Sequence, residues 1–418
     1  MQHLIRHLSS RLSSGVGIGL AAFAGYVILC RTLRFLRRNR KHAHFPYKTR
    51  KDFSNMTADD AWQIVRYCMS LEFPLVSEKA LEFALFRTYG IPTISKLLCQ
   101  TQQLSEQKYA SRRYADTNIL IGEFLAHGPT SERANAAISR MNYIHGRYQN
   151  AGKISNDDML YTLALFILEI ERWVRLYEWR CLTPMEICAF GTHWKSIGDA
   201  MGIDFGDLAH GPNSFQDGYE FFEDIKQWSE GYEKKCMVPN GDNHKLAEET
   251  TRILLADIPN IAFPYAKPFV AVLMDDRLRE AMLYDKPPAV YARILFSLLK
   301  VRKFLVRNFA LPRPYCLRYS VMTDDPDSNG RYYRTKYASE PWYIKPTFWA
   351  RIEPRSWVRW AAGSAYPDGK RYKPEGYSMF EVGPANMEDK GQKECAATLE
   401  QLMSSSRGAC PFASGKAR

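Results

Sequence analysis

The chain has 418 residues, with 57 Lys and Arg against 45 Asp and Glu and 13% aromatic side chains. Residues 1–51 hold eleven Lys or Arg and no Asp or Glu, so eleven of the twelve net positive charges lie there and the remainder is nearly neutral. That distribution excludes a basic nucleic-acid-binding body, whose charge would decorate the folded surface.

Residues 12–30 are nineteen positions without a charged side chain. As a helix rising ~1.5 Å per residue they span roughly 28 Å, close to the ~30 Å hydrocarbon core of a bilayer. Arg6 and Arg11 precede them. Arg31, Arg34, Arg37, Arg38, Arg40 and Lys41 follow. The heavier positive flank lies after the apolar stretch, which predicts a single-pass anchor with a lumenal N-terminus over 1–11, a basic linker over 31–56 and a cytosolic body. A cleavable signal peptide is the competing reading. Its apolar region is shorter and ends at a small-residue cleavage site rather than in six cations. Nine cysteines without any C-x-x-C spacing argue against a disulfide framework and a structural zinc site, in keeping with a reducing compartment.

The body reads as all-α. Thr57-Ala-Asp-Asp60 forms a capping signal ahead of Ala61–Leu71, where apolar residues return every three or four positions. A helix over 77–88 stops before Pro92. Helices are expected over 113–125, from Thr130 to about 148, and over the long apolar stretch 159–180. Thr183-Pro184 opens another, to about Met201, with proline in its first turn. Further helices are expected over 214–235, 244–256, 267–283 and 289–309. These make 57–311 a helical domain, the stretch in which any catalytic site is expected. From 312 to 384 the periodicity fades into Pro, Gly and aromatic residues, which predicts a loop-rich segment over the body or at a bilayer surface. A short helix, 393–405, and a polar tail complete the 312–418 segment.

No dinucleotide fingerprint, Walker loop, G-x-S-x-G elbow, H-E-x-x-H motif or paired Glu-x-x-His is present. The densest polar constellation is Arg140-Met-Asn-Tyr-Ile-His145. Five residues of helix separate Arg140 and His145 by about 140° around the axis, which would let them line two walls of one cavity. His145 stands at a helix end. It reads either as a cation matched to the helix dipole or as a neutral imidazole available to a metal. His127 and His193 are weaker candidates, and Arg113, Asp116 and Thr117 read as a network holding helices in register.

Several phrases together resemble a known family. They are Leu71-Glu-Phe-Pro74, Phe83-Ala-Leu-Phe-Arg-Thr-Tyr-Gly-Ile-Pro-Thr-Ile-Ser95, Arg113-Tyr-Ala-Asp-Thr117, Asp158-Met-Leu-Tyr-Thr-Leu-Ala-Leu-Phe166, Gly191-Thr-His-Trp-Lys-Ser-Ile-Gly-Asp-Ala200 and Gly408-Ala-Cys-Pro-Phe412. With the N-terminal anchor, they resemble the fungal ER-bound oxygenases typified by the prenyl-chain-cleaving enzyme of the mycophenolic-acid pathway. That family is related in turn to the bacterial latex-clearing (rubber) oxygenases. The resemblance implies a globin-like helical core, O2 as co-substrate, haem b as cofactor, a lipophilic prenylated substrate and a place at the ER membrane, beside other pathway enzymes. Bacterial relatives use a histidine on iron and a glutamate upstream of an arginine, which here fall on His145, Glu123 and Arg140. Glu123 would be a base of raised pKa, and Arg140 would stabilise developing oxygen charge. Where the bacterial chains carry a histidine in the following helix, this one has Leu160-Tyr-Thr162. The iron ligand is therefore His145, or Tyr161, or the metal arrangement differs. A non-catalytic, membrane-anchored scaffold that keeps the fold is the alternative function.

Overall fold

A computed structural model describes residues 2–337, 339–361 and 371–413. The end of the polar tail, 414–418, lies outside them. Among the described residues the chain is helical, and its only β contacts are isolated bridges at Met322–Arg334, Tyr332–Tyr377 and Arg334–Ile344.

The first helix, α1 (Gln2–His44), is continuous, so the cations of 31–41 sit on helix rather than on a linker. Its part from Val16 onward is long and apolar enough to cross a membrane, with only 6% of its most apolar window covered by protein. Its last turns dock on the body. The Arg37 guanidinium meets Glu72 at 2.5 Å, His42 Nε2 lies 3.2 Å from Glu186, and Arg34 Nε donates to the Ala310 carbonyl at 2.6 Å.

The body contains α2 (Ala58–Tyr67), α3 (Pro74–Thr88), α4 (Pro92–Thr101), α5 (Gln107–Ala126), α6 (Glu132–Asn150), α7 (Asn156–Tyr177) and α8 (Pro184–Ala200). The short α9 (Gly211–Ser214) precedes α10 (Gly218–Cys236), α11 (Gly241–Leu254), α12 (Phe263–Leu273), α13 (Asp276–Ala281) and α14 (Ala289–Phe309). Start signals sit where the sequence puts them. Thr57 Oγ1 accepts from Asp60 N–H, and Thr183 with Glu186 forms a capping box.

Three expectations change. Pro92 begins α4 instead of only ending what precedes it, because proline lacks an N–H at a position where none is needed. The expected helix 267–283 is two, since Asp275 accepts from Leu278 N–H and caps a new start. The expected 214–235 helix begins at Gly218, where Asp217 accepts from the N–H groups of Tyr219 and Glu220.

The core is built where α7 packs on α3 and α8 packs on both α2 and α10. At the α8–α10 crossing a Cβ on Gly191 would strike the Gly218 carbonyl, so the two backbones touch because neither residue has a side chain. Beyond α14 come short helices α15 (Phe348–Ile352) and α16 (Pro354–Ala361), and then α17 (Gln392–Ser404), which packs along α6. The tail returns to the start of the body, where the Gly408 and Ala409 carbonyls accept from the free N–H groups of Asp59 and Ala58 at the head of α2. All nine cysteines are unpaired.

Candidate active site

Helices α3 to α8 enclose a cavity of about 200 Å³. Leu85 and Thr88 come from α3, and Thr93, Ile94, Leu97 and Leu98 from α4. From α5, the stripe Arg113, Thr117, Leu120, Ile121 and Phe124 points inward at helical spacing. Met141, Ile144 and His145 come from α6, and Asp158, Met159, Thr162, Leu163 and Phe166 from α7. Trp194 of α8 stacks on Phe166, ring centroids 4.7 Å apart. The walls are thus apolar, with a few polar groups facing the space. Such a composition holds a largely hydrophobic ligand and orients it at a few points.

His145 is among those polar groups. Its Nδ1 is buried and has no hydrogen-bond partner. Burial, assisted by the charge of Arg113, lowers its pKa to about 4, so at neutral pH the ring is the uncharged form that ligates metals. Arg113 bonds the Thr117 hydroxyl, and that hydroxyl donates to the Arg113 carbonyl at 2.8 Å. Asp158 is held by the hydroxyls of Thr93 at 2.7 Å and Tyr232 at 2.8 Å. Lys153 adds a second cation at an exposed position on the lining. Among the described residues no group of three or more His, Cys, Asp or Glu side chains could hold a metal. A single neutral imidazole in an apolar pocket with two cations fits an iron carried by a porphyrin better than a metal held by protein ligands alone. One neutral imidazole and two cations are the side-chain types that a porphyrin-held iron with two carboxylates would call on.

The other candidates lie elsewhere. Arg140 does not line the cavity. Fully buried, it donates from Nε to Val382 O at 2.7 Å, from Nη1 to Lys390 O at 2.6 Å and from Nη2 to Met387 O at 2.7 Å. The expected shared cavity of Arg140 and His145 is corrected: the ~140° between them is enough to give Arg140 to the C-terminal segment and His145 to the void.

Glu123 is buried too, facing that segment. It takes Arg133 Nη2 at 2.6 Å and Nε at 2.9 Å, His127 Nδ1 at 3.0 Å and the Tyr377 hydroxyl at 2.5 Å. Burial pushes its pKa up, but the hydrogen bonds from His127 and Arg133 and the Arg133 charge outweigh it and hold the carboxyl below its ordinary range. The expected raised pKa is therefore reversed.

Tyr161 also faces away from the void. Its hydroxyl donates to Glu233 at 2.8 Å, beside the buried Arg87–Glu233 ion pair, which the exposed Asp275 joins from the edge. Burial beside Glu233 drives its pKa far up, the opposite of what a phenolate ligand needs. His193 is enclosed in α8 with Nε2 unpartnered, its ring edge-on to Trp194. Of the expected register network, Asp116 bonds the Tyr343 hydroxyl at 2.7 Å on another face, while Arg113 and Thr117 belong to the cavity.

A second cavity of about 160 Å³ shares Leu85 and Ile121 with the first and reaches Arg66, Ser70 and Pro74, on either side in sequence of Glu72, which Arg37 of α1 meets.

No protein-family model matches the chain. Over 414 residues it is 40% identical to the "ER-bound oxygenase mpaB'" of Penicillium brevicompactum, covering 99% of this chain and 98% of that protein. It is 36% identical over 391 residues to the "ER-bound oxygenase mpaB" of the same species, covering 93% of each. The "ER-bound oxygenase mpaB" of Penicillium roqueforti (strain FM164) is 43% identical over 272 residues, 65% of this chain and 90% of that one.

Proposed function

Because the chain belongs to the ER-bound oxygenase mpaB family, we propose that it is an ER-anchored, haem-dependent oxygenase acting with O2 on a C=C bond of a prenylated, lipophilic metabolite. The observation that carries this reading is His145, a neutral ring with an unpartnered nitrogen at the wall of an apolar cavity. Haem held there would supply O2 activation.

The chain's own residues do the rest. His145 is kept uncharged and ready to ligate by its burial. Arg113 and Lys153 suit the two propionates of the cofactor, because guanidinium and ammonium groups pair with carboxylates. The Leu, Ile, Met and Phe walls exclude water and give the prenyl chain an apolar surface. Overall, each alkene carbon receives one oxygen atom of O2 and the C=C bond breaks into two carbonyls, so the atoms balance without a reductant. The second cavity supports a route by which a bilayer-dissolved substrate reaches the first from the anchor's side, past Leu85 and Ile121. Tethering to the membrane raises the local concentration of such a substrate.

The test uses the full chain in microsomes, a farnesylated phenol and isotopically labelled dioxygen. Label is expected in the carbonyl products, and His145→Ala should abolish it at unchanged expression. Unlabelled, intact substrate with the parent chain, or full turnover by His145→Ala, would refute the reading.

A further inference from the structure

We propose that α14 is a second membrane contact: an amphipathic helix lying in the headgroup and upper acyl region of the leaflet that holds the basic end of α1. Of its 21 residues, which include no Asp or Glu, only Asn308 is buried. The exposed side is the apolar one. Val290, Ile294, Leu298, Val301, Phe304 and Leu305 share a face, and Leu298, Val301 and Phe304 are 63%, 55% and 59% exposed. A helix on a water-facing surface shows the reverse pattern. Arg293, Lys300 and Arg307 repeat every seven residues along one flank, all exposed, where their heads reach anionic headgroups while the stems lie along the apolar face. The third side holds the body, through Arg302 to Glu178 at 2.8 Å and Tyr291 against Phe269, ring centroids 5.0 Å apart.

The anchor fixes the occupant of the free face. The Phe309 ring lies 5.5 Å from that of Phe23, and Tyr26 donates from its hydroxyl to the Phe309 carbonyl at 2.9 Å. Both α1 residues belong to its apolar stretch. Tyr26 precedes Arg31, the first cation, by five residues, which is roughly 7 Å of helix rise. The end of α14 thus sits at about the ~5–10 Å depth reached by interfacial helices. Its apolar face continues a surface that already meets lipid, so acyl chains rather than a second protein cover it.

The test reconstitutes the full chain in vesicles of phosphatidylcholine and phosphatidylserine, with a diazirine on the acyl chain, and maps photolabelled peptides by mass spectrometry. Label is expected on 289–309 as well as on 16–29, and not on 184–200. The variant Leu298→Glu/Val301→Glu/Phe304→Glu replaces exposed side chains only. It should lose label at 289–309, keep it at 16–29 and leave the circular dichroism unchanged. Label confined to 16–30 in the parent chain, or crosslinks joining α14 of one copy to α14 of another in place of lipid, would overturn the proposal.

Discussion

His145, Arg140 and Glu123 are close in sequence, yet they serve different neighbours. Arg140 spends all three guanidinium nitrogens on backbone carbonyls of 382–390. Hydrogen bonds to a charged donor are worth ~1.5–3 kcal/mol each, and removing the donor leaves buried acceptors bare. Arg140→Met should therefore cost about 3–5 kcal/mol in chemical denaturation and open 379–404 to limited proteolysis, while Arg140→Lys recovers part of the loss. A variant that keeps full stability would remove Arg140 from this clamping role.

Protonation adds a second residue-scale expectation. Burial lowers His193 to about 3 and His145 to about 4. In the unfolded chain both take up protons near pH ~6.5, so acid favours unfolding across the window from ~6.5 down to 4. Asp116, pushed up to about 6 by burial, acts in the opposite sense: it favours the folded state at the acid end and loses that contribution as pH rises from ~4 to 6. The share of stability that His193 contributes should therefore be lost on acidification through this window. His193→Leu should flatten the fall in a pH series of melting temperatures, and an unchanged slope would rule His193 out as its source.

At the scale of elements, helices whose apolar period and caps agree were legible. The heads of α2 and α8 carry Thr57 and Thr183 where capping chemistry wants them, and α14 matches its expected bounds. α4 was missed because a proline that stops one helix can also open the next, and with it went one wall of the cavity. His145 lines a cavity wall as expected, whereas Arg113 and Thr117, read from the sequence as a register network, line the same cavity. On α5 both Phe124, toward the void, and Glu123, toward the C-terminal segment, are buried, so burial pattern alone cannot say which face meets the cavity. That face is set by tertiary packing, chiefly by Tyr343, Tyr377 and the carbonyls that Arg140 binds. The close crossing of α8 and α10 is a further element-scale test. Gly191→Ala forces a Cβ into the Gly218 carbonyl and should destabilise by about 2–3 kcal/mol, since two backbones cannot yield as side chains do. A thermal shift near zero would contradict that packing.

For the whole molecule, α1 is both a helix long and apolar enough to cross a membrane and, in its last turns, part of the body. Glu72 and Glu186 are buried and take Arg37 and His42 from its last turns. Glu186, whose burial cost is outweighed by bonds from His42 and Arg180, is held at about 2. Deleting residues 2–30 should release a body that still melts cooperatively, whereas deleting 2–44 should lower its melting temperature by exposing those carboxylates' site. Equal melting temperatures would mean that the basic turns of α1 do not support the body.

The cavity between α3 and α8 is where all of this converges, and the absorption spectrum of the detergent-solubilised full chain addresses it most directly. A Soret band that shifts with dithionite and carbon monoxide is expected, weakened or displaced in His145→Ala and unchanged in Tyr161→Phe. A chain purified from haem-supplied cells with no such band and no iron, or a band indifferent to His145→Ala, would contradict a haem held at this cavity.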